Sequence, residues 1–507
     1  MVNVYPVIKT EPLCFDYKVK INGAVVETNT ARVSAVPFNR RWPGHQRDIS
    51  QTEAVQFVSM STDEPLNFEI IPQIPFEASK VKLRPRSLGI KPIITQDGKI
   101  QFTLTKPAYF TVEAYGRNGA LHIFVDAAKD YSVSIKDENV IYFGAGEHDV
   151  GHIELRSNQT LFIDEGAVVY ARVSALDAEN IKILGHGILD NSRNKEEILF
   201  ERNVENNDVL VDNAKRISAV QFEYCKNILV DGITIRDSLM YNIRPLGCDN
   251  FEVKNVKIIG CWRYNSDGID MHNCTNVHID NCFVRTYDDC ICVKGFDCFY
   301  ADVEADVKSA MYRNGNSYDV FKNVLVENCV LWNDWGKCLE IGAETRAEEM
   351  CDIKFRNCDI IHVTGSILDC MNVDYADVHD VSYENINVEV DETIPAPLIQ
   401  KNDSEIYQNT NPEYMPYLIN NHVVYHFEYS AGGKRRGKNR NFSYNNIRVY
   451  GDKPIKFRFS GFDDCHKVEN VKINDVCLND EKITEINSEN IILEKYTENI
   501  SFENKKY

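Results

Sequence analysis

The chain contains a short repeated segment that restricts its fold class. Each copy begins with Asn or Asp, has apolar residues one and three positions later, and has Gly, Asn or Asp at position five. Alternating apolar residues are typical of a strand with one buried face. Gly, Asn and Asp tolerate a left-handed corner best, so each copy predicts a strand followed by a bend. The nine copies begin at Asn180, Asn227, Asn250, Asn276, Asn323, Asp352, Asp380, Asn441 and Asn470.

The spacing of the copies predicts a stack of coils. Neighbouring copies begin 23 to 29 residues apart, except for two gaps of 47 residues and one of 61. Repeats of this length are typical of solenoids, in which strands of adjacent coils stack at about 4.8 Å. We therefore predict a parallel β-helix over residues 136–507, with loop insertions near 296–320 and 391–440. A β-sandwich of irregular hairpins is the alternative, but it would not repeat the corner residue in register.

Residues 1–135 lack this repeat. They alternate apolar and polar residues between turn-rich breaks, as in KIQFTLTKPAYFTVEAYG at 99–116. This pattern predicts a small antiparallel β-sandwich domain that caps the start of the solenoid, in a chain that is all-β. The same domain could serve as an interface, so the sequence leaves homo-oligomerisation open.

Composition limits the partners of the chain. Neither a signal peptide nor a membrane-spanning apolar run is visible, which predicts a cytoplasmic protein without a membrane partner. The net charge of −20 argues against nucleic acid as a partner. Cys290, Cys292 and Cys298 match no zinc spacing, and we predict neither a metal site nor a cofactor.

Two acidic clusters occupy equivalent places on neighbouring coils, NSDGID at 265–270 and DDCICV at 288–293. If the apolar residues of both strands face inward, Asp267 lies opposite Asp289, and Asp288 lies one position earlier. Stacking of the coils then brings the three carboxyl groups to about 5–6 Å of one another. The sequence therefore predicts an acidic site at the start of these strands.

A third coil, GKCLEIG at 336–342, extends the same columns. Lys337 falls in the column of Asp267 and Asp289, and Glu340 falls in the column of Asp270. Like charges about 5 Å apart repel by roughly 3 kcal/mol at an effective dielectric of about 20, so one carboxyl group should stay protonated near neutral pH. A protonated acid beside an ionised one suits glycoside hydrolysis. The alternative is a ladder of turn carboxylates that bind backbone N–H groups.

These motifs resemble those of glycoside hydrolase family 28, the polygalacturonase family, whose order is N-T-D, D-D, G-H-G and R-I-K. NSDGID matches the first motif and DDC at 288–290 matches the second, 21 residues later. The segment at 237–250 also resembles the family. The resemblance implies a right-handed β-helix and an inverting hydrolase, with Asp288 as the acid and Asp267 and Asp289 activating water. A preceding β-sandwich is also similar to family 49, the dextranase and isopullulanase family.

Two departures from the family pattern concern the substrate. Lys337 replaces the family histidine, and SILDCMN at 366–372 stands where R-I-K is expected. The resemblance implies that the missing Arg and Lys would hold a galacturonate carboxylate, a contact that Leu and Asp cannot make. We therefore predict a neutral or otherwise non-pectic oligosaccharide as substrate. Glu340 remains an alternative for the acid.

Further residues near the motifs are candidates for substrate binding. Aromatic rings stack on sugar faces, and charged or amide groups bind hydroxyl groups. The two loop insertions predict walls that close the groove and favour exo action. The predicted substrate-binding residues are Asn265, Lys337, Glu340, Arg263, Asp270, Trp335, Arg244, His272 and Lys294.

Three hypotheses compete with an exo-acting glycosidase for neutral sugars. The first is an exo-polygalacturonase in which Lys337 and Arg263 hold the uronate. The second is a β-helix lyase or epimerase, for which a Lys among acids is suited. The third is a sugar-binding solenoid without activity, which three converging acids disfavour.

Overall fold

The structure is a computed structural model of the 507-residue chain. It describes residues 2–12, 14–40, 49–193, 218–296, 312–391, 394–402, 404–426, 429–430, 436–484, 491–503 and 505–506. The predicted loop insertions near 296–320 and 391–440 lie partly outside these residues. Within the described ranges, no helix is long and apolar enough to cross a membrane.

The N-terminal part forms two mostly antiparallel sheets. β2, β3, β7, β9 and β10 form one sheet, β1, β4, β6, β8, β11 and β12 form the other, and β5 pairs elsewhere. The strands are β1 (Asn3–Val4), β2 (Tyr17–Ile21), β3 (Ala24–Val26), β4 (Asn29–Ser34), β5 (Phe38–Arg40), β6 (Thr52–Ser61), β7 (Leu66–Pro72), β8 (Lys82–Arg84), β9 (Ile93–Ile94), β10 (Ile100–Leu104), β11 (Ala108–Glu113) and β12 (Ala120–Asp126). Short 3₁₀ turns cover Ile49–Gln51, Ala78–Lys80, Arg86–Leu88 and Arg117–Gly119.

Nearly all later strands belong to one large, predominantly parallel sheet that winds as a right-handed β-helix. They are β13 (Val140–Phe143), β14 (Gly146–Glu154), β15 (Thr160–Ile163), β16 (Ala167–Leu176), β17 (Glu179–Gly185), β18 (Ile188–Asp190), β19 (Val220–Glu223), β20 (Lys226–Asp231), β21 (Thr234–Arg236), β22 (Ile243–Leu246), β23 (Asp249–Lys254), β24 (Lys257–Ile259), β25 (Ile269–His272), β26 (Thr275–Asp280), β27 (Phe283–Thr286), β28 (Ile291–Lys294), β29 (Tyr312–Arg313), β30 (Asn316–Ser317), β31 (Val320–Glu327), β32 (Val330–Asn333), β33 (Lys337–Ala343), β34 (Glu349–Arg356), β35 (Asp359–His362), β36 (Ser366–Asn372), β37 (Asp377–Glu389), β38 (Leu398–Gln400), β39 (Tyr417–Val423), β40 (Lys438–Tyr450), β41 (Lys456–Ser460), β42 (Val468–Leu478), β43 (Glu481–Lys482), β44 (Ile491–Leu493), β45 (Thr497–Phe502) and β46 (Lys505–Lys506). β29 pairs with β30 and β38 pairs with β5, outside the large sheet.

The repeated segments behave as the sequence predicts at position five. The Asn and Asp residues there have φ between 50° and 57°, and Gly185 and Gly232 also have positive φ. The nine anchor residues are left-handed as well, with φ between 53° and 59°, which the pattern did not indicate. Their amides form a ladder along the stack, in which Asn227 donates to Asn180 at 3.0 Å and Asn250 donates to Asn227 at 2.9 Å.

The alternating apolar residues of the repeats fill the interior of the β-helix. Cys282, Cys329 and Cys358 belong to this core. Ile188 does not face this interior. Ile188 pairs with Thr234, so Gly187 takes the inward place and Ile188 packs toward the N-terminal sheets.

The N-terminal sheets pack on the outside of the β-helix through a separate apolar cluster. Phe124 from β12 lies 4.9 Å from Phe283 of β27, measured between ring centres. Buried ion pairs surround this cluster. Arg236 of β21 donates to Glu11 at 3.0 Å, and Arg84 of β8 donates to Glu389 of β37 at 2.6 Å. The predicted boundary near residue 135 stays a prediction.

Candidate active site

The predicted acids lie at the start of β25, β28 and β33, on one face of the β-helix. Ile269 pairs with Ile291, and Ile291 pairs with Leu339. This register places Asp270, Cys292 and Glu340 in one outward column, as the sequence analysis predicted. The residues ahead of these strands also align, because Gly268 N donates to Asp289 O and Cys290 N donates to Lys337 O, both at 2.8 Å.

Close approach of the coils depends on Gly268. A Cβ atom at this position would lie 2.2 Å from the carbonyl oxygen of Cys290, so no larger residue fits without a shift of the backbone. Buried side chains also fix the backbone of the acids by hydrogen bonds. Asn242 donates to the carbonyl oxygen of Asp267 at 2.7 Å, and Thr286 and Asn333 donate to that of Asp288 at 2.6 and 2.7 Å.

Asp288 and Asp289 converge over a third coil at Gly336. A Cβ atom at Gly336 would lie 2.5 Å from Asp289 Oδ1 and 2.7 Å from Asp288 Oδ1. The two carboxyl groups therefore approach the same point, and only glycine leaves room for both. Neither aspartate is fully buried, so solvent or a ligand can reach this point.

Lys294 lies at the centre of the acidic cluster. Its Nζ is 2.8 Å from Asp270 Oδ2, 3.2 Å from Asp267 Oδ2, 3.6 Å from Asp289 Oδ2 and 3.9 Å from Glu344 Oε2. Lys294 itself is 4% exposed. Its ammonium group offsets the repulsion between these carboxylates, which belong to three consecutive coils.

Lys337 neutralises a second set of acids one coil further on. Its Nζ contacts Glu340 Oε1 and lies 3.2 Å from Asp369 Oδ2. Its backbone N–H donates to Asp289 Oδ1 at 2.9 Å. The ammonium group of Lys337 is therefore already shared by two carboxylates.

The two adjacent aspartates have opposite pKa shifts. Burial, together with the charge of Asp289, raises the pKa of Asp288 to about 8. Burial also acts to raise the pKa of Asp289, but Lys294 and Lys337 outweigh it and hold that pKa below its usual value. At neutral pH, Asp288 is therefore mostly protonated and Asp289 is ionised.

Asp267 and Asp270 are almost completely buried. Burial raises the pKa of Asp267 well above its usual range, and the charge of Asp270 adds to the rise. Burial also raises the pKa of Asp270, although Lys294 opposes this. The sequence analysis expected Asp267 to be ionised beside Asp289, and the structure instead favours its protonated form.

The remaining predicted residues surround the acids at different depths. Arg263 is bound by Asp237 and stacks on Trp262, with its guanidinium carbon 4.3 Å from the ring centre. Trp335 is half-buried and stacks on Tyr287 at 6.2 Å between ring centres. Asn265 is partly exposed in a left-handed turn with φ of 53°.

Two predicted residues are buried behind the acidic cluster. His272 is 0% exposed, and its Nδ1 lies 3.1 Å from the carbonyl oxygen of Gly295. Arg244 is 1% exposed and its Nε donates to His272 Nε2 at 3.4 Å. Their burial favours a supporting role over direct contact with a ligand.

The structure adds two residues that the sequence analysis missed. Asp369 of β36 pairs with Glu340, and Asn420 of β39 pairs with Asp369, so both continue the outward column. Asn420 Nδ2 donates to Asp369 Oδ1 at 2.7 Å. Extension of the predicted column by one coil into SILDCMN would have identified Asp369. Asn420 lies within the longest gap between repeats, from Asp380 to Asn441, and offered no such signal.

Segments from outside the regular coils support the corner that precedes Lys337. Arg117 of the N-terminal part donates to Asp334 Oδ1 at 2.7 Å. Tyr414, from the long segment between β38 and β39, donates to the carbonyl oxygen of Thr364 at 2.9 Å. β38, which directly precedes this segment, pairs with β5 of the N-terminal part. These contacts build up one side of the site.

The chain shows similarity to known proteins over this region. The sequence model described as "Glycosyl hydrolases family 28" matches residues 144–412, which include the acids and both lysines. A probable polygalacturonase of Vitis vinifera is 26% identical over 182 residues, covering 31% of this chain and 37% of the relative. A polygalacturonase of Gossypium barbadense is 30% identical over 145 residues, covering 28% and 33%. The matched parts thus span about a third of these curated relatives.

A solved structure shares the fold over nearly the whole length. Dex49A from Penicillium minioluteum superimposes with a TM-score of 0.62 and 13% sequence identity. The match covers 98% of this chain and 99% of that protein. The shared fold therefore includes the N-terminal sheets as well as the β-helix.

Proposed function

The chain belongs to the glycosyl hydrolases of family 28, and on that premise we propose that it is an inverting, exo-acting glycosidase for neutral or otherwise non-pectic oligosaccharides. The observation that carries this proposal is the pair Asp288 and Asp289. One carboxyl group is protonated near neutral pH and its neighbour is ionised, and both converge at Gly336. Acid and base catalysis require such a pair.

In this proposal, Asp288 protonates the oxygen of the leaving sugar. Burial raises the pKa of Asp267 and Glu340 as well, but each of these groups is 1% exposed, and each contacts a lysine. Asp288 is the more accessible of the three acids. Its raised pKa therefore matches the needs of a general acid that works at neutral pH.

Asp289 is the proposed base that takes a proton from the attacking water. Lys294 and Lys337 keep it ionised, and its side chain is 13% exposed, which leaves an edge open to water. Asp267 shares Lys294 with Asp289 and is proposed to orient the water beside it. Inversion is proposed from membership of family 28 and not from the spacing of these two acids, because the oxygens of Asp288 and Asp289 that meet at Gly336 lie closer together than the roughly 6.5–9.5 Å typical of an inverting pair.

The proposed preference for neutral sugars rests on the charges around the acids. Lys294 and Lys337 already serve buried carboxylates, and Arg263 is bound by Asp237. A uronate carboxylate would have to compete with these internal partners beside a cluster of acids, which is electrostatically unfavourable. Hydroxyl groups of a neutral sugar meet no such repulsion.

Exo action is supported by the contacts of the long segment between β38 and β39. β38, at the start of this segment, pairs with β5 of the N-terminal part, and Tyr414 within the segment donates to Thr364, next to the corner at Gly336. Segments that build up one side of the site suit the end of a sugar chain better than its middle. A cytoplasmic location, which remains a prediction, would agree with small substrates.

A galacturonide hydrolase is the second candidate. It is favoured by the relatives, which carry the name polygalacturonase. In that case, Lys337 would have to exchange Asp369 or Glu340 for the carboxylate of the substrate.

The proposal can be tested with purified wild type and Asp288→Asn against neutral and uronate oligosaccharides. NMR would follow the anomer of the released sugar, and Asp464→Asn, in an exposed turn, would serve as a matched control. We expect an inverted product from wild type and the control, and a loss of at least about 100-fold in kcat for Asp288→Asn. Retained configuration or full activity of Asp288→Asn would contradict the proposal, and unsaturated products would indicate a lyase.

A further inference from the structure

A group of side chains suited to a metal ion lies away from the acidic site, on the strand stack that contains the Asn ladder. Glu349 and Cys351 belong to β34, and His379 belongs to β37. Cys351 and His379 are direct partners in the register of these parallel strands. One oxygen, sulfur and nitrogen atom of the three residues all lie within 4.8 Å of one another.

The imidazole of His379 is held in an orientation typical of a metal ligand. Its Nε2 lies 2.7 Å from Glu349 Oε1, and its Nδ1 lies 2.7 Å from Asp380 Oδ2. Asp380 is fixed in turn, since Asn441 donates to its Oδ1 at 3.0 Å. A carboxylate on Nδ1 sets the tautomer of the ring, and Nε2, whose present partner is Glu349, is the nitrogen that would bind a metal in place of this contact.

The thiol of Cys351 provides an independent observation. The residue is 5% exposed, it forms no disulfide, and in the described part of the chain its sulfur makes no hydrogen bond. It also lies outside the apolar core of the β-helix, unlike Cys282, Cys329 and Cys358. Its sulfur instead faces the oxygen and nitrogen of Glu349 and His379.

The charges around this group are compatible with a cation. Glu349 and Asp380 supply two carboxylates. Lys322 and Arg440 flank the group on the neighbouring strands. Arg440 is already bound by both oxygens of Asp377, at 2.9 and 3.2 Å.

We propose that Glu349, Cys351 and His379 form a binding site for Zn²⁺ or a similar divalent transition metal. Ligand bonds of about 2.0–2.3 Å in a tetrahedral site place the ligand atoms roughly 3.3–3.8 Å apart, which small side-chain shifts from the present positions achieve. Sulfur and nitrogen ligands select zinc over calcium or magnesium. The exposed edge of Glu349 leaves a fourth position for water.

The ion would join two consecutive coils. β34 and β37 precede the long segment between β38 and β39, which packs against the N-terminal part. A metal bridge at this point stabilises the stack of strands and takes no part in the reaction of the acids. The proposal is therefore independent of the substrate and of the proposed function.

Co²⁺ is a suitable probe, because a thiolate bound to Co²⁺ gives a charge-transfer absorption that oxygen and nitrogen ligands do not give. Metal-free, reduced full-length protein would be titrated with Co²⁺ and then with Zn²⁺. We expect one Co²⁺ per chain with the thiolate band, and its displacement by Zn²⁺. Cys351→Ser should abolish the band, while Cys465→Ser, at an exposed thiol beside His466, should retain it.

Asp380→Asn tests the support of His379 without removal of a ligand. We expect about 10- to 100-fold weaker binding of Zn²⁺ in this variant. A thiolate band that persists in Cys351→Ser, or Zn²⁺ affinity unchanged in both His379→Gln and Asp380→Asn, would overturn the proposal. Absence of any thiolate band in wild type would also overturn it. Binding without that band would indicate another group, such as His278, Asp280 and Glu327.

Discussion

At the scale of single residues, Asp288 and Asp289 show how environment separates two identical side chains. They are adjacent in sequence, and both approach Gly336. Asp289 accepts the backbone N–H of Lys337 and lies near Lys294, whereas burial raises the pKa of Asp288 and its charged neighbour adds to the rise. The sequence predicted that one carboxyl group would be protonated, and the surrounding lysines determine which one.

The raised pKa of Asp288 predicts a gain in stability when its charge is removed. The folded state binds an extra proton between the unfolded pKa of about 4 and the folded pKa of about 8, so the stability of the wild type falls as pH rises through this window. At pH 7, Asp288→Asn should increase the free energy of unfolding by about 1–3 kcal/mol while activity is lost. Urea unfolding at pH 5 and pH 7 would measure this: the gain should be larger at pH 7, and an equal change at both pH values, or a loss of stability at pH 7, would contradict it.

Lys337 should control the acidic limb of the pH–rate profile. It lowers the pKa of Asp289, together with Lys294, so Lys337→Met should raise that pKa and move the acidic limb of kcat/KM to higher pH by about 0.5–1 unit. The alkaline limb of the wild type should lie near pH 8, where Asp288 loses its proton. Lys106→Met, at an exposed residue of the N-terminal part, is the control. An acidic limb that does not move would show that Asp289 is not the base.

At the scale of strands and coils, the repeat pattern predicted the register correctly. The column of Asp270, Cys292 and Glu340 follows from the alternation of inward apolar residues alone. Lys294 was predicted only as a substrate ligand, because its position at the end of β28 does not show that its Nζ reaches carboxyl groups on the coil before and the coil after its own. Side-chain reach across coils has no signal in local sequence.

Gly336 lies in the corner before β33, where the two aspartates approach it closely, and we therefore expect Gly336→Ala to lose activity. A methyl group there would displace Asp288 and Asp289, whose oxygens lie 2.7 and 2.5 Å from the position of its Cβ. We expect kcat/KM to fall by about 10- to 100-fold, because small misplacements of catalytic groups have effects of this size. Gly89→Ala, in a surface turn with φ of 66° and no atom near its Cβ, should leave kcat/KM unchanged. Equal kinetics of Gly336→Ala and wild type would contradict the site.

At the scale of the whole molecule, the N-terminal sheets and the β-helix are joined by buried charges as well as apolar side chains. The sequence predicted both parts, since each has its own pattern of alternation. It predicted a cap at the start of the β-helix, whereas the contacts run along its outside as far as Phe283 and Glu389. The buried charges in this contact were not predicted, because Arg236 and Glu11 are 225 residues apart and neither lies in a motif. The pairing of Cys351 with His379 was not predicted either, because the two residues belong to different coils and share no motif in the sequence.

Breaking this contact should destabilise the whole chain. Arg236→Met leaves Glu11 and Asp190 buried without their shared cation, which typically reduces stability by about 3–5 kcal/mol. Arg193→Met removes a surface ion pair with Glu147 and should change stability by less than about 1 kcal/mol. Thermal unfolding of both variants would compare them, and equal midpoints would show that the contact contributes little.

The most direct test of the proposed function compares two matched substrates. Oligosaccharides of the same linkage and length, one built of neutral galactose and one of galacturonate, would be hydrolysed by the purified wild type, and kcat/KM would be measured for each. We expect at least about 10-fold preference for the neutral chain, because Lys294 and Lys337 are already bound to internal carboxylates. Preference for the galacturonate chain would contradict it and assign the protein to the polygalacturonases.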